Sequence, residues 1–239
     1  MYKIIREKIL TFLFRIRENT IGVLRNYNLV RKSPYERFQD ESLENSYQTF
    51  KKYFAKSLFF KKNNGLLLGI NEAKKIASEN DIFMELGVFE GKSINFLSSN
   101  MGNKTIYGFD SFEGLRENWS GTTAQSSTFD LNGKIPKLNS NVKIIKGWIQ
   151  DTLVEFLKEK NQKIVFVHID VDTYETTKFI LKNIKPYLKS GTIIIFDEMY
   201  NYPGWENNEY KALMEEFSEE YFQFIAFSDF GQEAIIKIK

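Results

Sequence analysis

Asp170, Asp172, Asp197 and Glu198 are the side chains of this 239-residue chain whose types and spacing could do chemistry. The first two follow the apolar run "KIVFVHI" and the last two follow "GTIIIF", so carboxylates leave the ends of two almost wholly apolar segments. An acid in such a place can be a helix N-cap, a reading that stands for Asp151 and Asp172, which precede helical stretches. It suits Asp170 and Asp197 poorly, because both close strands that read as buried and adjacent. Carboxylates that converge repel one another, and burial without a cation raises their pKa values; a divalent cation relieves both effects. Oxygen donors select magnesium, manganese or calcium. The expected ligands are Asp170, Asp197 and Glu198. Zinc of the usual kind is excluded, since the chain has no cysteine and one histidine, His168. Strand alternation puts His168 on the face of Asp170 but one layer deeper, the ordinary place of a hydrogen-bonded core histidine.

A second stretch with chemical content is "ELGVFEGKS", Glu85 to Ser93, whose two glycines stand four positions apart after an apolar run. Gly87 and Gly91 permit a tight turn and close approach of a ligand to the backbone. The helix that begins near Gly91 offers unpaired N–H groups. The stretch lacks the middle glycine of G-x-G-x-x-G, which disfavours a dinucleotide. Asp110, which closes "KTIYGFD", is placed to accept hydrogen bonds from a ribose diol. These features suit a nucleoside carrying a carboxylate better than one carrying a diphosphate.

The elements that must position these residues are legible from about residue 81. Five β-rich runs, "DIFMEL", "KTIYGFD", "NVKIIKG", "KIVFVHID" and "GTIIIFDE", alternate with helical stretches. Continuously apolar strands separated by helices predict a parallel sheet covered on both faces, a doubly wound α/β domain. Its ligands belong outside the carboxyl ends of the strands, where the acids lie. "FQFIAFSD" and "QEAIIKIK" are too close in sequence for a parallel crossover and predict an antiparallel closing hairpin. The prediction is therefore five parallel strands plus a terminal hairpin. The polar stretch from Ser111 to Pro136, which contains Trp119, is long enough to serve as a lid.

The remainder of the chain is less informative. A composition of 42% hydrophobic and 27% charged residues is ordinary for a globular protein. Absence of cysteine fits a reducing cytoplasm. The net charge of +2 hides an asymmetry, because residues 1–32 carry +6. Within them Ile5, Ile9, Phe12, Leu13 and Ile16 keep helical spacing, which predicts a basic amphipathic helix. Packing on the main domain or on a second copy is its first reading, and peripheral contact with an anionic membrane its second. Nucleic acid is excluded as a partner, because the rest of the chain is slightly acidic. Residues 33–80 are expected to form a helical cap, with the catalytic domain over 81–239.

The motifs "MELGVFEGKS", "GFDSFEGL", "GWIQDTL", "HIDVDTYETT" and "GTIIIFDEMYNYPGWENNEYKA" together resemble the class I S-adenosylmethionine-dependent methyltransferases, and more narrowly the macrolide-sugar O-methyltransferases of the macrocin and mycinamicin type. The resemblance covers roughly residues 64–239. It implies a Rossmann-like sheet of seven strands, S-adenosylmethionine as donor, bound magnesium, and a sugar hydroxyl on a small molecule or glycan as acceptor. By position, Glu85, Gly87 and Phe89 would line the methionine portion of the cofactor, with Ser93 at its carboxylate near Gly91. Asp110 would take the ribose, with Ser111 and Phe112 beside it, and Trp148, Ile149 and Gln150 would surround the adenine. The metal set Asp170, Asp197 and Glu198 falls where related enzymes bind magnesium, although Glu198 stands where a shorter side chain is usual. Catechol-type relatives have a lysine where this chain has Thr173, which leaves Asp170, Asp172 and His168 as candidate bases. Tyr174, and Tyr200, Tyr202 and Trp205 from "NYPGWENNEY", are expected at the acceptor wall, a structural plug being the alternative for the latter three. A phenol acceptor and a non-catalytic, membrane-docked scaffold are the competing functions.

Overall fold

The computed structural model describes residues 12, 13, 15–23, 31–61 and 64–239. The chain divides into two compact units, Met1–Glu41 and Ser42–Lys239. Of the expected amino-terminal stripe, Ile5 and Ile9 lie outside the described residues. Residues 12, 13 and 15–23 are helical, and Phe12, Leu13 and Ile16 are exposed. The boundary between the units falls within helix α1, Pro34–Phe54. Among the described residues no helix is long and apolar enough to cross a membrane.

The second unit is built on one eight-stranded sheet of order β1-β7-β8-β6-β5-β2-β3-β4. Its parallel part comprises β2 (Ile82–Leu86), β3 (Ile106–Asp110), β4 (Val142–Lys146), β5 (Ile164–Ile169) and β6 (Leu188–Phe196). The terminal hairpin, β7 (Phe222–Ser228) and β8 (Ala234–Ile238), pairs antiparallel onto β6. The seven expected strands are present, and an eighth, β1 (Leu58–Phe60), adds a parallel edge beside β7. β1 comes from the stretch expected to be a helical cap. Three residues are too few to show a period of two, so the strand left no pattern to read.

Alternation along the strands divides the core. Met84 and Leu86 of β2 face a layer that includes Leu153 of α4 (Ile149–Lys160) and Ile180 of α5 (Tyr174–Ile184). Phe83 faces the opposite layer with Ile70 of α2 (Asn64–Lys74) and Ile94 of α3 (Lys92–Ser99). The parallel strands run β4-β3-β2 to one side and β5-β6 to the other, so the order reverses between β2 and β5. A crevice opens at such a reversal, outside the carboxyl ends of the strands.

Candidate active site

The glycine turn sits in that crevice, where the backbone of β5 crowds it. Gly87 has φ +87°, and a Cβ there would overlap the carbonyl oxygen of Asp170, so the position admits only glycine without displacing β5. Phe89 follows at φ +46°, an uncommon conformation for a bulky residue. Asp110, at the end of β3, holds the turn in shape. Its Oδ2 accepts the N–H groups of Val88 and Phe89 at 2.7 and 2.8 Å, and its Oδ1 accepts that of Phe112 at 2.6 Å. A carboxylate has about four acceptor sites, so roughly one remains for a ligand.

Beneath the turn lies a set of charges that reaches the cavity through Asp197. Glu85 is fully buried; its Oε1 accepts from the Ser93 hydroxyl at 3.0 Å and its Oε2 lies 2.9 Å from His168 Nδ1. The opposite ring nitrogen, Nε2, stands 3.5 Å from Asp197 Oδ1, an ion-pair distance at the long limit of a hydrogen bond. Burial alone would lower the His168 pKa, but its bonds to Asp197 and Glu85 and their charges raise it well above the ordinary value. Burial likewise works against ionisation of Asp197, and the His168 partner holds that carboxyl below the usual range. Glu85 stays above its ordinary value because burial outweighs the pull of His168 and Ser93.

Beside this set Asp172 and Glu198 have no such counterweight, and Asp170 has only the nearby charge of His168. Asp170, Asp172 and Glu198 each present an oxygen within 4.8 Å of the others, and His168, Asp170 and Asp197 form a second group of the same span. Asp172 adopts φ +64°, a strained conformation that turns its carboxyl into the crevice beside Asp170. Burial first, and the Asp197 charge second, push Asp172 up to about 7. The same causes raise Asp170 and Glu198 well above the carboxylate range. Glu198 Oε2 is buried with no hydrogen-bond partner. Such a donor set, all oxygen and short of positive charge, fits a hard dication.

These acids form one wall of a cavity of about 330 Å³. Gly87, Phe89, Asp110 and Ser111 line a second side, and Trp148, Ile149 and Gln150 a third. The Ser111–Pro136 stretch closes over it with Arg116, Trp119 and Phe129. Arg116 lies 5.5 Å over the Trp148 ring, and Phe129 meets Phe89 edge-on at 5.2 Å.

A family model described as a methyltransferase domain matches residues 84–199, a span that contains both the glycine turn and the acids. Residues 84–199 are thus similar to a methyltransferase domain, and the sheet has the fold of the class I methyltransferases. Among solved structures, a calicheamicin methyltransferase superposes with a TM-score of 0.61 at 22% identity over 87% of this chain and 94% of its own. A second structure, described as a TDP-rhamnose 3'-O-methyltransferase, gives 0.54 at 20% over 87% and 96%. The O-methyltransferase NovP gives 0.53 at 18% over 74% and 78%. No curated protein matches this sequence. Methyltransferases of this class take their methyl group from S-adenosylmethionine, the cofactor that the sequence resemblance implies.

Several residues expected at the methyltransferase site stand elsewhere. Glu85 and Ser93 do not line the cavity, because they are engaged with one another below the turn. Gly91 is buried as the N-cap of α3, and Phe112 is buried behind the lining of the cavity. His168 is 1% exposed with a carboxylate at each nitrogen, so it has no free face with which to act as a base. Tyr174 points away from the cavity and donates to Glu215 at 2.6 Å. Tyr200, Tyr202 and Trp205 are core residues: Phe50 of α1 packs 5.3 Å from Tyr200 and 5.4 Å from Trp205. The plug reading of "NYPGWENNEY" therefore holds over the acceptor wall. Nothing local in the chain marks Glu209, which is fully buried and whose Oε2 accepts the Glu198 N–H at 3.0 Å.

Proposed function

We propose that this methyltransferase moves a methyl group from S-adenosylmethionine to a sugar hydroxyl with the aid of magnesium. The carrying observation is the convergence of Asp170, Asp172 and Glu198 within 4.8 Å on the wall of a cavity shared with the glycine turn. Sugar as the acceptor class is supported by the resemblance of the motifs and by the likeness to a TDP-rhamnose 3'-O-methyltransferase. Asp170 and Glu198, with Asp197 and Asp172 flanking them, would hold the cation. Magnesium, when bound there, would align neighbouring hydroxyls and ease their deprotonation. Gly87, Phe89 and Asp110 would seat the nucleoside, and Trp148, Ile149 and Gln150 its base. The chain's own residues then have three tasks. The Asp110-braced turn fixes the donor, the Trp119 loop excludes water, and a carboxylate takes the acceptor's proton. Asp172 suits the last task by position, since its carboxyl lines the cavity beside Asp170.

Isotopically labelled S-adenosylmethionine offered with nucleotide sugars, glycans and catechols tests this reading. Transfer to a sugar hydroxyl that EDTA abolishes and magnesium restores is the expected result. Transfer indifferent to EDTA, or confined to catechols, overturns it.

For residues 1–32 we propose peripheral contact with an anionic membrane surface in the cytoplasm. Exposed Phe12, Leu13 and Ile16 alternate with exposed Arg15 and Arg17, in a segment of net charge +6. Co-sedimentation with anionic vesicles should be lost when residues 1–32 are deleted; no sedimentation of the full chain contradicts it.

A further inference from the structure

The start of helix α6, Glu209–Glu216, ties two consecutive polar residues to two segments that contribute to the cavity, the Trp119 loop and Glu198. Asn208, its N-cap, is buried, and its Nδ2 donates to the carbonyls of Ser120 and Gly204, both at 3.2 Å. Ser120 follows Trp119 in the loop that closes the cavity. The fit there is tight, because a Cβ on Gly121, at φ +84°, would overlap the Pro203 carbonyl. Glu209 reaches the other way and accepts the main-chain N–H of Glu198 at 3.0 Å, leaving its Oε1 buried without a partner.

A wholly buried carboxylate among other carboxylates is costly, and a structural need alone would be met by a neutral acceptor or by helix capping. Here the Glu198 N–H is the group it engages, and Glu198 carries the other buried carboxylate oxygen that lacks a partner on this wall. Fixing the main chain at Glu198 limits where its longer side chain can present that oxygen. Outer groups that orient ligands in this manner set metal affinity without touching the metal.

We propose that Glu209 is a positioning residue that, through its bond to the Glu198 N–H, holds the Glu198 carboxylate where it can share a divalent cation with Asp170. The inference rests on the cation reading made above, and its test separates the two. Manganese is titrated into metal-stripped full-length protein and followed by electron paramagnetic resonance, with melting temperature in EDTA as the check on folding. Wild-type protein should bind one ion; failure here removes the cation reading itself. Glu209→Ala should bind about 10–100-fold more weakly. Glu209→Gln retains an acceptor oxygen for the Glu198 N–H and should stay within about threefold of wild type, as an acceptor bond kept intact requires. If Glu209→Ala does not fold, Glu209→Asp, whose shorter arm falls short of that N–H, takes its place with the same expected loss. Unchanged binding in the alanine or aspartate variant overturns the proposal. So does a glutamine variant as weak as alanine, which would make charge, and not the bond, the operative feature.

Discussion

Two clusters of acids lie side by side at the carboxyl edge of one sheet and differ in a single respect. In the first, Glu85 and Asp197 share the single cation His168, whose Nε2 keeps an ion-pair contact with Asp197 but no hydrogen bond. In the second, Asp170, Asp172 and Glu198 converge with Glu209 behind them, His168 near Asp170 is the one cation close by, and Glu198 and Glu209 each keep an unpartnered oxygen. The first cluster braces the floor of the glycine turn through Ser93. The second opens on the cavity through Asp170, Asp172 and Glu198. Residue type does not separate structure from chemistry here; charge balance does. A balanced buried cluster is complete, whereas an unbalanced one is stable only with something added.

The comparison breaks most visibly if a balanced acid is removed. Glu85→Ala leaves the His168 cation with one long contact and strands the Ser93 hydroxyl, so unfolding in denaturant should show a loss of about 3–5 kcal/mol. A change under 1 kcal/mol would mean that the cluster is not a brace. The opposite sign is expected across the divide. Asp172 has its carboxyl raised from 3.8 to about 7 in the folded protein, so the folded state binds the extra proton between those values. Stability in EDTA should therefore fall as pH rises from about 4 to 7, the window between the unfolded and folded values. Asp172→Asn makes that slope shallower, Asp170 and Glu198 still contributing, and should gain on the order of 2 kcal/mol at pH 7 while methyl transfer drops. A destabilised variant whose slope is undiminished would contradict the unbalanced reading. The smallest effect belongs to Asp110, whose carboxylate serves the turn and has about one site to spare. Asp110→Ala should weaken S-adenosylhomocysteine binding in calorimetry by roughly tenfold, the equivalent of about 1.4 kcal/mol.

The sequence disclosed the acids at the strand ends because apolar runs announce strands, and whatever follows such a run in a doubly wound sheet faces the crevice. It disclosed the cavity walls at Gly87, Asp110 and Trp148 for the same reason. What it concealed depends on contacts distant in the chain. Trp205 lies in a turn-rich segment that reads as acceptor wall or as structural plug, and only the arrival of Phe50 from α1 decides for core. Glu209 begins a helix with an ordinary polar start, and nothing local says that its carboxyl meets the main chain of Glu198. Asp110 was legible as a cofactor residue but not as the anchor of three N–H groups, because those donors are backbone and carry no residue signature.

The central claim is that the unbalanced cluster gathers a dication. Calorimetric titration of magnesium into metal-stripped protein, with S-adenosylhomocysteine already bound, tests it most directly. One saturable site, absent in Asp170→Asn and retained in Glu85→Gln, is the predicted result. Protein that binds S-adenosylhomocysteine but shows no saturable magnesium uptake would contradict the account.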